Sequence, residues 1–463
     1  MSTAECSFMS EKKVFDPLYG DRADASSIGH DVKVNHTLTI QSAEDKERVP
    51  EPVEVRVPIT TMMGSSDFPD GGLKAWLVVF GGMCCTFTTF GYVNAWGIFQ
   101  AYYQETLLKD SSPSSIAWIG SIQYCLVFLP GILVGRLFDL GYFHTILISC
   151  SALLVLATFL TAECTAYWQF LLCQGLAVGL ACGGIFGPTM AVIAHWFKKK
   201  RGMALGLVAI GSSIGGTVIP IMARNLIPRI GFSWAMRVIG FVLLATLCLA
   251  NATLKRRLPP ANVVGGLFNF RSFRSAPFSC YCVSAFFVFL GIYTMLTYID
   301  VSAVSLGISA DISFYLVAIV NCSSGVGRYI AGGLSDRFGP LNIMIPLTSF
   351  AAIFTYSWPF APNQASLICV AILYGLSSGA YMSLLPSPLM AMGDPSDIGR
   401  RLGMCMSILS IGALIGPPIS GDINSTTRGF QAVGFFAGST ILLGVILMTV
   451  TRHLLLGRLP GRA

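Results

Sequence analysis

Gly175-Leu176-Ala177-Val178-Gly179 returns 200 residues later as Gly375-Leu376-Ser377-Ser378-Gly379, and a proline follows each, Pro188 and Pro386. Nearly the same register joins Gly211, Gly215 and Pro220 to Gly412, Gly416 and Pro418. It also joins Gly135-Arg136-Leu137-Phe138-Asp139-Leu140-Gly141 to Gly332-Gly333-Leu334-Ser335-Asp336-Arg337-Phe338-Gly339. A single glycine pair means little in apolar sequence, but three matches within a few residues of one offset mark a duplicated unit. Small residues one turn apart let helices approach closely, so the duplicated unit reads as helical.

Working outward from the repeat, the chain after Lys74 divides into twelve apolar runs, each near the roughly 20 residues that cross about 30 Å of hydrocarbon. They cover about 75–102, 115–137, 143–162, 167–196, 202–223, 232–253, 277–299, 313–334, 341–358, 365–391, 402–421 and 430–451. Runs of this length read as helices, because barrel strands need only about ten residues. The fold class is therefore an all-α polytopic membrane protein of twelve helices in two pseudo-symmetric six-helix halves. The expected organisation is a disordered cytosolic tail (1–70), an amino-terminal half (71–253), a cytosolic linker (254–276), a carboxyl-terminal half (277–455) and a short cytosolic tail (456–463).

Composition agrees: 54% of the 463 residues are hydrophobic and 11% charged, against roughly 25% charged in soluble domains. A soluble enzyme, a nucleic-acid-binding protein and a disulfide-stapled secreted domain all fit poorly. Residues 1–70 hold 7 Lys+Arg against 13 Asp+Glu, which leaves 23 against 10 for the rest. Sixteen basic residues fall in connections on one side, among them Lys198, Lys199, Lys200, Arg201, Arg256, Arg400 and Arg401, whereas the other side carries Lys109, Arg224, Arg229 and Arg428. That bias puts both termini in the cytosol. Most of the fourteen Cys lie inside apolar runs and read as reduced, buried thiols. Two halves joined by a modest linker are the arrangement in which a central site alternates between the two sides.

The sequence resembles the major facilitator superfamily, and within it the monocarboxylate porter branch in its fungal-type form. Asp70-Gly71-Gly72-Leu73-Lys74-Ala75-Trp76 is similar to the motif that opens the first helix of that branch. Trp196-Phe197-Lys198-Lys199-Lys200-Arg201-Gly202-Met203-Ala204-Leu205-Gly206 resembles its fifth-helix motif. The Gly-x-x-x-Asp pieces ending at Asp139 and Asp336 resemble the superfamily's cytosolic loop motif. The resemblance implies a secondary transporter with the major facilitator fold. It also implies gating roles for Asp139 and Asp336 with Arg136 and Arg337 beside them, each carboxylate holding a cation or a helix amino terminus of the other half. Gly211, Gly215, Gly412 and Gly416 are expected to let helices slide during the cycle.

Charges inside a span are costly and face a cavity or a partner. Arg328 is the clearest, and Asn321, Ser324, Gly325, Arg328 and Gly332 share one helical face by their three- and four-residue spacing. The family resemblance places a substrate-binding arginine at Arg328, whose fork suits a carboxylate; the alternative is a side chain that snorkels to the surface. The family's acid one turn earlier is Ser324 here, and its first-span lysine falls near Asn94. Asp300 and Glu105, at outer helix ends, are the candidates for a co-transported proton. Further cavity candidates are Tyr92, Asn94, Gln123, Tyr293, Tyr374, Ser378 and Tyr381.

The sequence shows no catalytic constellation, no metal-ligand spacing, no phosphate-binding loop and no cofactor signature. Asn424-Ser425-Thr426 is an outward glycosylation sequon. The expected function is transport of a small organic acid or related metabolite, including efflux of a secondary metabolite, across a plasma membrane, with a vacuolar membrane as the alternative. The substrate is expected to be anionic. The competing function is a nutrient sensor of the same fold.

Overall fold

The computed structural model describes residues 68–463 except 261–265, 268, 394–396, 428, 458–460 and 462–463. The expected disordered tail therefore lies outside the described residues up to position 67, as do parts of the linker and of the carboxyl tail.

All regular elements among the described residues are helices. Ten are long and apolar enough to cross a membrane. One of them, Arg201–Thr253, has 53 residues, about 80 Å at 1.5 Å per residue, too long for one crossing. It turns at Gly231, whose φ of +79° is open to glycine and strained for other residues. A further helix, Ala310–Phe338, carries Asn321, Ser323, Ser324 and Arg328 on its apolar background. The twelve helices are α1 (Leu73–Leu107), α2 (Ser114–Asp139), α3 (Phe143–Thr161), α4 (Tyr167–Ile193), α5 (201–230), α6 (232–253), α7 (Ala276–Ser305), α8 (Ala310–Phe338), α9 (Pro340–Phe360), α10 (Gln364–Ala391), α11 (Ile398–Thr427) and α12 (Phe430–Leu456). The expected spans are all present, with several ends moved. α11 runs six residues past its expected end, so Asn424 sits half-buried in its last turn and not in a free outer loop.

Each sequence match becomes a matching contact. Gly175 and Gly179 of α4 lie against Ile119 and Gln123 of α2, while Gly375 and Gly379 of α10 lie against Val320 and Ser324 of α8. Gly211 and Gly215 of α5 lie against Met83 and Phe87 of α1; Gly412 and Gly416 of α11 lie against Phe286 and Leu290 of α7. These last four glycines therefore pack helices within one half, away from the contact between the halves. A Cβ there would strike a carbonyl of the same half, so their role is tight packing.

The halves meet along two seams, α2 with α11 and α5 with α8. Gly131 and Gly135 face Gly403 and Gly399 across the first seam, and Gly202 faces Gly332 across the second. We call the end of the bundle where residues 68–72 enter and α12 leaves the tail end.

Candidate functional site

A cavity lies between the halves, walled by α1, α2, α4, α5, α7, α8 and α10. Its faces differ in chemistry. Ser212 of α5, Asn321, Ser324 and Arg328 of α8, Asn94 of α1 and Ser378 of α10 supply polar groups. Phe90, Phe128, Phe186, Phe289, Met190 and Met382 supply the apolar surface. The free volume is about 70 Å³, well under the roughly 300–1,000 Å³ of ligand pockets. A metabolite enters only after the halves move apart.

Arg328 is 8% exposed. One guanidinium nitrogen donates to the Ala209 carbonyl at 2.5 Å and to the Ser212 hydroxyl, and Nε has no hydrogen-bond acceptor. No carboxylate pairs with it among the described residues. The side chain thus crosses from α8 to α5 at the cavity wall, which removes the snorkelling alternative. A buried cation without an acid beside it is a costly arrangement.

The cavity gathers Arg328, Asn321, Ser324, Asn94, Tyr293, Tyr374 and Ser378 from the sequence expectation. Asn321 donates to Gly216 of α5 at 3.3 Å, and Asn94 accepts from the Tyr124 hydroxyl at 3.1 Å. Tyr374 donates to the Ile292 carbonyl. Three candidates lie elsewhere. Thr86, Phe90 and Asn94 repeat every four residues toward the cavity, so Tyr92 faces α3, near Thr158 and Thr161. Gln123 is buried at the α2–α4 contact beside Gly179. Tyr381 sits behind the wall, its ring 6.2 Å from that of Phe289. Neither proton candidate reaches the cavity: Glu105 is exposed in a π turn at the far end of α1, and Asp300 accepts from its neighbour's N–H (Val301) at 2.7 Å. The four phenylalanines were not anticipated, although Phe90, Phe128 and Phe289 each stand one turn from Asn94, Tyr124 and Tyr293.

At the tail end two carboxylates join the halves. Asp139, ending α2, accepts from the N–H groups of Gly399 and Arg400 at 3.0 and 2.9 Å, where α11 begins. Asp336, in the last turn of α8, accepts from Gly202 and Met203 at 2.6 and 2.9 Å, where α5 begins. Each acid satisfies otherwise unpaired amides at the positive end of a helix in the opposite half. Arg337 is exposed over the Phe338 ring, and Arg136 is buried on α2 three positions before Asp139.

Segments outside the repeat brace both contacts. Arg256 donates to the carbonyls of Phe138 and Asp139 at the end of α2. Asn269 and Arg400 both donate to Asp397, at 2.9 and 2.5 Å. His195 lies against Phe138, ring centroids 5.2 Å apart, and burial together with Arg256 and Arg257 pushes its pKa down to about 3. On the other seam, Asp70 Oδ1 accepts from the consecutive N–H groups of Lys198, Lys199 and Lys200 at 2.7, 2.7 and 3.2 Å. Trp76 and Phe197 touch at 5.2 Å between ring centroids. The two sequence motifs at residues 70–76 and 196–206 therefore form one folded unit.

Comparison with known proteins agrees with this architecture. The family model described as Major Facilitator Superfamily matches residues 82–393 and 303–460. "MFS-type transporter 1" of Ophiocordyceps sp. (strain BCC 1869) is 38% identical over 392 residues, 84% of this chain and 87% of that protein. "Aspyridones efflux protein apdF" of Emericella nidulans is 36% identical over 83% of this chain and 78% of its own. Among solved structures, that of the human organic anion transporter MFSD10 (TETRAN) superposes with a TM-score of 0.65, at 16% identity, over 81% of this chain and 99% of that one.

Proposed function

This chain belongs to the Major Facilitator Superfamily and is a multi-pass membrane transporter, and from that premise we propose that it carries an anionic metabolite outward by alternating access about Arg328. The observation that carries the reading is the Arg328 guanidinium itself, buried at the wall of an inter-half cavity with no acid beside it. A carboxylate of the cargo would supply the missing counter-charge, and its release would restore the contacts to Ala209 and Ser212. Docking of the 70–76 segment on residues 196–200 supports the monocarboxylate porter branch, since both of its motifs meet there.

A relative in Emericella nidulans is named for efflux of aspyridones, which supports export as the direction. The bias of basic residues supports a cytosolic tail end, and the proposed membrane is the plasma membrane. The described cavity wall carries no carboxylate, so Asp300 and Glu105 are left out of the proposed cycle and no proton is assigned to the protein in the cavity. The named relatives are transporters, which disfavours a sensor.

Purified protein in liposomes should carry labelled aryl and alkyl carboxylates and leave their primary amides behind. Equal flux of acids and amides would overturn the anionic reading.

A further inference from the structure

The apolar side of the cavity is built from aromatic rings that meet across the two halves. Phe128 of α2 meets Phe289 of α7 edge to face, ring centroids 5.2 Å apart. Tyr124 and Tyr293, one turn along the same helices, stand 5.2 Å apart. Phe186 of α4 lies 5.9 Å from Phe128, again edge to face. Any rocking that widens the cavity along α2 and α7 must separate the Phe128–Phe289 and Tyr124–Tyr293 pairs and free the ring edges and faces that meet there.

Aromatic pairs contribute beyond the area they bury because ring edges and faces carry opposite partial charge. A flat ring inserted between Phe128 and Phe289 would restore those contacts. A saturated body of equal size would fill the volume without restoring them. Four of the polar groups, Ser212, Asn321, Ser324 and Arg328, lie on α5 and α8, so the two ends of an occupant would meet different surroundings.

We propose that the seam between Phe128 and Phe289 selects the body of the cargo: the substrate is an acid built on an aromatic or conjugated ring system, with its anionic group at Arg328 and its ring between these two side chains. Only the polar half of this assignment rests on the anion site proposed above. The ring half stands on the aromatic contacts alone.

The test uses purified full-length protein in detergent and measures the affinity of 2-naphthoate, decahydro-2-naphthoate and 2-naphthamide by ligand-induced thermal stabilisation. 2-Naphthoate should bind about fivefold tighter than its saturated analogue, although the latter is the more apolar. Phe128→Leu and Phe289→Leu should abolish that preference while leaving decahydro-2-naphthoate within about twofold of its original affinity. Equal binding of the aromatic and saturated acids by the unmodified protein would overturn the proposal, and so would leucine variants that weaken both acids alike. Arg328→Gln separates the two readings. It should weaken 2-naphthoate and spare 2-naphthamide. If it changes neither while the leucine variants still remove the aromatic preference, the anion site fails and the ring seam stands.

Discussion

Arg328 and His195 are buried for opposite reasons. Arg328 has two acceptors on α5 at the cavity wall, and the proposed anion would add the counter-charge. Arg328→Lys retains the charge without the planar fork, whereas Arg328→Gln loses both. Glutamine should cost about 2–5 kcal/mol of substrate binding and nearly abolish transport, and lysine should keep a fraction; flux at matched surface abundance measures this. His195 is instead held neutral. Its folded pKa, about 3, lies below the ordinary value of 6.5, so the unfolded chain takes up a proton first as pH falls. Stability is then lost from about pH 6.5 downward, by about 2 kcal/mol at pH 5. His195→Gln should flatten that part of the pH profile of the unfolding temperature in detergent, and an unchanged slope would assign the loss to other groups.

Among elements, the α2–α11 and α5–α8 seams join the two halves at the tail end. A Cβ on Gly399 would collide with the Gly135 carbonyl and come within 2.6 Å of an Asp139 oxygen. Gly399→Ala should therefore part the seam while the first turn of α11 stays helical, since alanine is the better helix former by about 1 kcal/mol. A cysteine replacing Ser378 on the cavity wall should then react faster with a water-soluble maleimide. Unchanged labelling would show that the seam tolerates the methyl group. Asp139→Asn acts on the same contact. The amide presents one acceptor oxygen where the carboxylate presents two, and its NH₂ opposes the other backbone donor. Turnover should drop further than surface abundance, with about 1.5–3 kcal/mol of charge-assisted bonding lost. Unaffected turnover would make Asp139 a packing residue only.

For the whole molecule, an even number of crossings puts residues 68–72 and the end of α12 on one side. The basic bias predicts that this side is cytosolic. Tags on either terminus should resist protease in sealed cells, and digestion from outside would invert the bundle. The tail-end closure has nearly equivalent acids in each half but unlike braces, Asp70 on one seam and Arg256 with Asn269 on the other. The two seams are thus braced by segments that the repeat does not contain.

The repeat, the hydropathy runs and the basic bias are local properties of the chain, and they determined twelve helices, two halves and the acids that join them. Asp139 and Asp336 were legible through their resemblance to the superfamily's cytosolic loop motif, and Arg328 because charge is rare in a span. Which face each residue presents was settled only by packing. Tyr92 and Asn94 are two positions apart yet point into different spaces, and Gly211 and Gly215 face α1 although the same spacing would serve either seam. The phenylalanines were hidden because phenylalanine is ordinary in apolar helices: the chain has 31. Their meaning comes from Phe128 and Phe289, 161 positions apart, touching across the halves. Such a contact is a property of how two folded units approach, and no local pattern encodes it.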